Sequence, residues 1–457
     1  MRKRDVNMLS GSITKGLIAI SLPIMVMNVV QSLFNIIDMT ILKSYDAGGG
    51  SAVGAVGVCG TLITTITGLV IGIASGANVV IARHIGRRDV RQVERAVGTA
   101  MAFSAASGLL LSLIGLVFAD FLLRLVNCPQ KLLSQATVYF RLYFSGVPLL
   151  MIYNFSAAVL RSSGNSRQPM IFLITGGGVK VGLTYLFTAV LDKGVTGVAL
   201  ATILSWLVMT SLSVITLLRT DSIVKLRPKC IRFYKQELLE ILRIGVPAGL
   251  QKALYSVANV IISATVNSFG DQATTGISIA NQFDNILYQI SCATSFAVMP
   301  YVSQNVGAKN VKRAMQSVWK GILITVALGA TFGALSAIFS RELSSIMSSD
   351  PVVIAYSRQK MILISSTYFI CGINEIFGAA LRGMGKPVAA TVATLVFMCI
   401  FRFVWVYLIF PLNPTSLTFL YLVWPIGWTL SIVTLLFTFF PTRKKLLRQA
   451  ALHSSNT

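Results

Sequence analysis

Long apolar stretches alternate with short polar segments along almost the whole chain. Each stretch runs for about 20 residues or more, the length that an α-helix needs to cross a hydrocarbon core of about 30 Å. Lipid offers backbone groups no hydrogen-bond partner, and the stretches are too long for barrel strands, so all of them are predicted to be helices. The pattern predicts spans at residues 16–42, 53–80, 96–118, 136–160, 170–190, 197–218, 241–267, 275–302, 318–338, 355–380, 388–410 and 419–440.

Three segments of the first half recur in the second half, at separations of 218 to 224 residues. Each half therefore holds six predicted spans. An even number of spans returns the chain to the side where it began, which makes the halves parallel repeats. The matched segments are 19–37 with 243–261, 82–90 with 303–311, and 158–169 with 379–387.

This repeat predicts an all-α membrane protein with twelve transmembrane helices in two pseudo-symmetric six-helix lobes. We divide the chain into an N-lobe (1–218), a cytoplasmic linker (219–240) and a C-lobe (241–457) that ends in a basic tail. Substrate is expected to bind between the lobes near the middle of the membrane, as it does in transporters built from repeats.

Charge is scarce and unevenly distributed. Only 12% of the residues are charged and the mean hydropathy is +0.75, whereas soluble domains average about 25% charged residues. Most of the 39 Lys and Arg residues lie on the side of the predicted membrane that holds both chain ends. This predicts cytoplasmic termini in a multi-pass protein of a plasma membrane such as the bacterial inner membrane. The net charge of +24 is thereby explained by topology, without a nucleic acid partner, although basic segments could also bind anionic lipid.

Few residues suit enzymatic chemistry. The six cysteines have no CxxC spacing, and the two histidines, His84 and His453, lie outside the predicted spans. These features favour neither disulfides nor zinc, and they leave no Ser-His-Asp triad in the membrane. We therefore predict no cofactor, no metal and no enzymatic activity. The run "TGGG" (175–178) lacks the following GK[ST] of a phosphate loop and is predicted to allow close helix packing.

Five motifs, in order along the chain, are similar to those of one transporter family: "SLFNIIDMTIL", "LRSSGNSRQPM", "GVTGVALAT", "RIGVPAGLQ" and "SQNVGAKN". The chain resembles the multidrug and toxic compound extrusion (MATE) family over nearly its full length. This resemblance implies a monomeric secondary antiporter for multidrug efflux. Such a protein exports small organic, often cationic, compounds by alternating access and is driven by inward H⁺ or Na⁺.

Ionisable residues inside spans are the main candidates for function, because each costs roughly 2.5–3.5 kcal/mol at a helix centre. They are expected to face cavities or to pair with each other. In the C-lobe two acids and two bases suggest internal pairing. The seven candidates are Asp38, Arg141, Lys180, Lys252, Asp284, Glu375 and Arg402.

The resemblance places the family's ion-coupling carboxylate at Asp38. It also places the family's span-5 Asn and Asp at Lys180 and Thr184, where this chain departs from the pattern. We hypothesise that Lys180 occupies the cation site as a tethered cation paired with Asp38. Such a pair favours coupling to protons over sodium, which prefers several oxygen ligands. The alternative is that Lys180 only neutralises Asp38 and holds spans 1 and 5 together.

Other positions complete the predicted N-lobe site. By the same resemblance, Asn154, Thr202 and the backbone carbonyl of Val198 line the ion-coupling region. Pro23 in span 1 is predicted to act as a hinge, because proline removes one helical hydrogen bond. The alternative for Pro23 is a static kink where the helix enters the membrane.

The C-lobe is predicted to hold the substrate-binding residues. Asp284 lies near the middle of span 8 among amides and aromatic rings, which suit a cation. A closed network of salt bridges is the alternative interpretation. The predicted substrate-binding residues are Asp284, Gln282, Glu375, Lys252 and Arg402.

Two other functions remain open from the sequence. A lipid-linked oligosaccharide flippase of the same superfamily is compatible with the four bases and three acids among these candidates. A non-transporting membrane sensor is also possible, but duplicated lobes are what alternating access needs. We therefore favour the proton-driven antiporter.

Overall fold

The computed structural model describes residues 6–45, 51–126 and 128–454, and the described residues are almost entirely helical. The N-lobe helices are α1 (Ile13–Ser44), α2 (Ser51–Gly86), α3 (Val90–Leu125), α4 (Gln130–Ser145), α5 (Val147–Ser162), α6 (Arg167–Tyr185) and α7 (Gly194–Arg219). The helices that follow are α8 (Lys235–Asn267), α9 (Asp271–Gly307), α10 (Val311–Ile338), α11 (Ser340–Ser345), α12 (Pro351–Gly383), α13 (Pro387–Thr394), α14 (Phe401–Val404), α15 (Leu417–Tyr421) and α16 (Val423–Ser454).

Most of these helices can cross a membrane. Among the described residues, nine helical stretches are long and apolar enough to do so, and the pair α4–α5, bent by 45°, makes a tenth. Helices α8 and α9 complete the twelve predicted segments. Both are longer than 30 residues, but they carry many polar side chains, including most of the predicted C-lobe site. The ends of the chain, 1–5 and 455–457, lie outside the described residues, so the cytoplasmic placement of the termini stays a prediction.

Helices corresponding to each other in the two lobes share an irregularity. The fifth span leaves α-helical geometry at the π-helical turn Leu186–Val190. The eleventh span does so twice, at Leu395–Ile400 and Trp405–Ile409. A π-helical turn widens the helix locally and occurs frequently at functional sites. In this chain the first turn follows the intramembrane cation Lys180, and the other two lie on either side of Arg402.

The repeated segment 158–169/379–387 encodes the same helix end in both lobes. Gly164 and Gly385 adopt left-handed φ values of 93° and 80°. In each case the amide of the glycine and that of the next residue close a Schellman motif on the end of α5 or α12, as in Asn165 N to Leu160 O (3.1 Å) and Lys386 N to Leu381 O (2.8 Å). Glycine suits this position because it has no Cβ to oppose the left-handed backbone.

The repeated segment 82–90/303–311 encodes a turn followed by a helix start. Arg88 and Lys309 are both left-handed. The residue after each of them caps the next helix: Asp89 accepts from the amide of Gln92 (3.0 Å) and Asn310 from the amide of Arg313 (3.1 Å). Asp and Asn are preferred N-caps because their side-chain oxygens accept from amides of the first turn. The sequence repeat is therefore also a structural repeat.

Helices α2 and α8 meet through two GxxxG motifs, one on each helix. A Cβ placed on Gly72 would lie 2.2 Å from Gly249 Cα, and one on Gly76 would lie 2.3 Å from Ile241 O. From the other side, a Cβ on Gly245 would lie 2.5 Å from Ile73 O. Backbones approach this closely in lipid only where small residues line the contact.

The chain forms two compact units, each with most of its contacts within itself. One contains Val26–Ile85 and Asp89–Gly249, and the other contains Asn7–Met25 and Leu250–Thr457. The first division runs through α1 two residues beyond Pro23, and the second runs through α8 two residues beyond Pro247. The first half of α8 belongs to the unit that contains α2, in agreement with the glycine contact.

The glycine contact predicts a sharp difference between two substitutions on α2. Gly72→Ala introduces a methyl group into the backbone of α8 and should destabilise the protein by about 1–3 kcal/mol, as overpacking does. Gly57→Ala is the matched control, because a Cβ at Gly57 meets nothing within 4 Å. Thermal unfolding in detergent should show a lower midpoint for Gly72→Ala alone. Equal midpoints for the two variants would contradict the close packing.

Candidate functional site

Asp38 lies in α1 and is the centre of a polar cluster in the N-lobe. Its carboxylate forms an ion pair with the Lys180 ammonium, and the side chains are 6% and 19% exposed. The Thr184 hydroxyl donates to the other carboxylate oxygen at 3.1 Å. Lys180 and Thr184 are four residues apart on α6, and this spacing puts them on one helix face. The structure therefore brings these three residues together, and the predicted ion pair is present.

Contacts on either side of the ion pair hold α1 against α6. A Cβ on Gly177 would lie within 1.8 Å of the Phe34 ring, so the glycine makes room for that ring. Beyond the pair, the rings of Tyr45 and Tyr185 meet edge to face with centroids 5.9 Å apart. The order of the contacts shows that the two helices run in the same direction. The ion pair thus lies inside a packed helix interface.

The glycines of "TGGG" divide into two groups. Gly176 packs against α7, where its carbonyl accepts from the Ser205 hydroxyl at 2.8 Å, and Gly177 packs against α1. A Cβ on Gly178, in contrast, would meet nothing within 4 Å. Close helix packing is thus confirmed for two of the three glycines.

The other predicted N-lobe ligands use their polar atoms within their own helices. The Asn154 amide nitrogen donates to the Leu150 carbonyl at 2.9 Å. The Thr202 hydroxyl donates to the Val198 carbonyl at 2.9 Å, so two of the predicted oxygens bond to each other. No hydrogen bond between described residues joins these side chains to Asp38. Pro23 lies inside the continuous helix α1, and its role as a hinge stays a prediction.

In the C-lobe, Asp284 is paired with a residue that the sequence analysis did not include. Lys360 of α12 lies 3.0 Å from the Asp284 carboxylate, and the two side chains are 4% and 9% exposed. The same ammonium donates to Asn281. The count of two acids and two bases in this lobe was therefore incomplete. This geometry favours the alternative in which Asp284 belongs to an internal salt bridge.

Lys360 is not among the predicted site residues because it lies only five residues inside the predicted span 355–380. A lysine at such a position ordinarily extends its ammonium to the membrane interface. The sequence signal for Lys360 is its partner Asp284, because a carboxylate in the middle of span 8 needs a counter-charge from a neighbouring helix.

Three C-lobe cations are connected through aromatic rings, and we call this set the cation–aromatic chain. Lys360 lies 5.6 Å from the centre of the Trp424 ring, and Arg402 lies 5.5 Å from the same ring. On its other side Arg402 lies 4.7 Å from the centre of the Tyr255 ring. That ring stacks on Tyr288, whose hydroxyl accepts from Lys252 at 3.0 Å. Such contacts stabilise a cation most where water is excluded.

A small cavity adjoins the cation–aromatic chain. Its volume is about 20 Å³, room for about one water molecule. Two of the predicted substrate-binding residues line it, Lys252 and Glu375, whereas Asp284 and Arg402 do not. Gln282 is exposed. The remaining lining residues are Gln251, Tyr255, Tyr288, Cys371, Asn374, Thr394, Met398 and Trp428.

The sequence profile of the MatE family matches residues 23–186 and 247–408. The chain belongs to the MatE family. The profile matches twice, once in each lobe, and together the matches cover well over half of the chain. This result confirms the family resemblance found in the sequence.

Known MatE-related proteins extend the comparison. "Probable multidrug resistance protein YpnP" of Bacillus subtilis is 25% identical over 86% of this chain and 87% of its own. An FAD transporter of Shewanella oneidensis is 24% identical over 85% of this chain and 86% of its own. The solved outward-facing structure of a multidrug resistance MATE family transporter is 20% identical, with a TM-score of 0.89, and the match covers 98% of this chain and 100% of that one. The two-lobed, twelve-helix fold is thus shared with this family.

The salt bridge between Asp284 and Lys360 predicts a pattern of stabilities. Asp284→Asn and Lys360→Met should each cost about 3–5 kcal/mol, because each leaves one buried charge without its partner. The double variant should recover most of this loss, since it removes both charges. The free energy of unfolding in detergent is measured for the wild type, the two single variants and the double variant.

The exposed pair Asp120–Arg124, 49% and 60% exposed, provides the control for that cycle. Arg124→Met should change stability by less than about 1 kcal/mol. Additive losses in the Asp284 and Lys360 double variant would show that the two charges do not compensate each other.

Proposed function

We propose that the protein is a secondary antiporter that exports small organic compounds by alternating access and is driven by inward proton movement. The observation that carries this proposal is the buried cluster of Asp38, Lys180 and Thr184 between α1 and α6. Family membership supports transport. The names of the relatives, a probable multidrug resistance protein and an FAD transporter, support a small organic substrate.

Protons suit this cluster better than sodium. Sodium is a hard cation that needs several oxygen ligands, whereas the Lys180 ammonium already neutralises the Asp38 carboxylate. A sodium ion would have to displace a tethered cation that cannot leave the protein. A proton needs only one oxygen of the carboxylate.

Protonation changes the energy of the α1–α6 contact. A proton that enters from outside binds a carboxylate oxygen of Asp38 and leaves the Lys180 ammonium without its counter-charge. Loss of one partner of a buried pair costs about 3–5 kcal/mol, so the helices rearrange until Lys180 finds water or another partner. When the site opens to the cytoplasm, Asp38 releases the proton and the pair forms again.

Features of both helices are suited to such a rearrangement. The π-helical turn Leu186–Val190 begins two residues after Thr184, and wide turns of this kind can shift helical register. Pro23 removes one backbone hydrogen bond from α1. We propose that these two places absorb the movement when the ion pair breaks.

The proposal places both termini in the cytoplasm of a bacterial cell, with the protein acting as a monomer in the inner membrane. The basic linker and tail support this orientation. The family resemblance implies an often cationic substrate, and Asp284 was the carboxylate expected to bind it. Lys360 occupies that carboxylate, so the proposed function does not include a preference for cations.

Asp38→Asn should uncouple transport from the proton gradient, because an amide cannot take up and release a proton at this site. Export is measured in proteoliposomes that have an acidic exterior and a panel of organic compounds as substrates. Asp120→Asn is the control, since Asp120 is an exposed carboxylate in the same lobe. Gradient-driven transport by Asp38→Asn at the wild-type rate would show that the N-lobe mechanism is wrong.

Lys180→Asn combined with Thr184→Asp should make transport depend on Na⁺. The double variant replaces the tethered ammonium with oxygen ligands and a second carboxylate, which suit a sodium ion. Transport with and without a Na⁺ gradient is compared for wild type, the two single variants and the double variant. Only the double variant should respond. Stimulation of the wild type by Na⁺, without a response to pH, would overturn the tethered-cation hypothesis.

A further inference from the structure

Arg402 is buried in the C-lobe without a carboxylate partner. It is 1% exposed, and none of the ion pairs between described residues involves it. One guanidinium nitrogen donates to the Asn259 side-chain oxygen at 2.5 Å. The other terminal nitrogen, Nη2, is buried and has no hydrogen-bond partner within the described structure.

This arrangement differs from that of two other intramembrane cations. Lys180 and Lys360 each face a carboxylate, Asp38 and Asp284 respectively. Arg402 lies on the helix that corresponds to α6, about one turn farther from the matched proline than Lys180 is. At this place in the C-lobe the partner is an amide, and no carboxylate among the described residues forms an ion pair with Arg402.

The surroundings of Arg402 suit a flat organic group. The guanidinium lies between the rings of Tyr255 and Trp424. Tyr255 also lines the small C-lobe cavity, as does Met398, one helical turn before Arg402. The Tyr255 ring therefore contacts both the cavity and the guanidinium. A ligand would reach Nη2 only if this ring turned aside and the cavity enlarged.

We propose that Arg402, Tyr255 and Trp424 form a binding site for a planar aromatic anion. A carboxylate or phosphate oxygen of the ligand accepts from Nη2, and its aromatic part stacks on the displaced rings. This inference rests on the proposed export function and names its substrate class. Glu375 lines the same cavity and opposes an anion there, whereas Lys252 on the same wall favours one.

Asn259→Asp provides a selective test. It gives Arg402 the internal carboxylate that Lys180 already has, so the new pair competes with an external anion. The variant should fold at least as stably as the wild type, because it adds a counter-charge. Asn259→Ser is the matched control, since it removes the amide without adding charge.

Binding is measured by isothermal titration calorimetry in neutral detergent with 2-naphthoate, 2-naphthylmethanol and 2-naphthylmethylammonium. The wild type and Asn259→Ser should prefer naphthoate. Asn259→Asp should weaken naphthoate binding by at least about 30-fold and leave the binding of the neutral alcohol unchanged. Arg402→Lys should weaken naphthoate binding less than Arg402→Met does.

Equal binding of the three probes to the wild type, or no binding of naphthoate, would overturn the proposal. Unchanged naphthoate binding by Asn259→Asp would overturn it as well. Binding of phosphatidylglycerol that requires Arg402, without binding of naphthoate, would make this a lipid site instead. The titration uses no ion gradient. Failure of proton coupling in proteoliposomes therefore affects only the proposed function, and loss of anion preference affects only this inference.

Discussion

A charge inside a bilayer needs its compensation inside the protein, and this constraint organises both lobes. In the N-lobe the compensation is an ion pair between α1 and α6, with a hydroxyl on the second carboxylate oxygen. In the C-lobe Asp284 compensates Lys360 through a salt bridge. Arg402 has the amide of Asn259 and two aromatic rings around it. The helices that carry charge must therefore stay in contact, and the rest of the packing is arranged around these contacts. In the proposed mechanism, a transported ion acts by changing which charges are compensated.

The N-lobe cluster could be predicted because local signals agree with the family resemblance, which places Asp38, Lys180 and Thr184 in one ion-coupling site. Hydropathy shows that Asp38 and Lys180 both lie within spans, and the four-residue spacing of Lys180 and Thr184 shows that they share a helix face. The glycine and Asp or Asn positions of the repeats likewise specify the helix ends directly. At these helix ends a few neighbouring residues contain the whole physical argument.

Other features depend on partners that are distant in the sequence. The GxxxG motifs of α2 and α8 are visible in the chain, but their meeting depends on how helices more than 150 residues apart are arranged. Lys360 lies near a span end, where a lysine lowers the hydropathy of the span too little to be noticed. Only the position of Asp284 shows that Lys360 forms a buried salt bridge. The π-helical turns carry no clear sequence signal, because their residues are ordinary apolar ones.

The repeated turns show how the duplicated halves came to differ. Both lobes keep left-handed residues and helix caps at matched places, whereas the charged side chains between them have diverged. The turns determine where each helix stops and starts, so they preserve the scaffold whatever chemistry the helices carry. Each lobe is consequently a separate module whose interior can change without a matching change in its twin. A duplicated scaffold of this kind allows one half to specialise in binding a driving ion while the other half changes its substrate specificity.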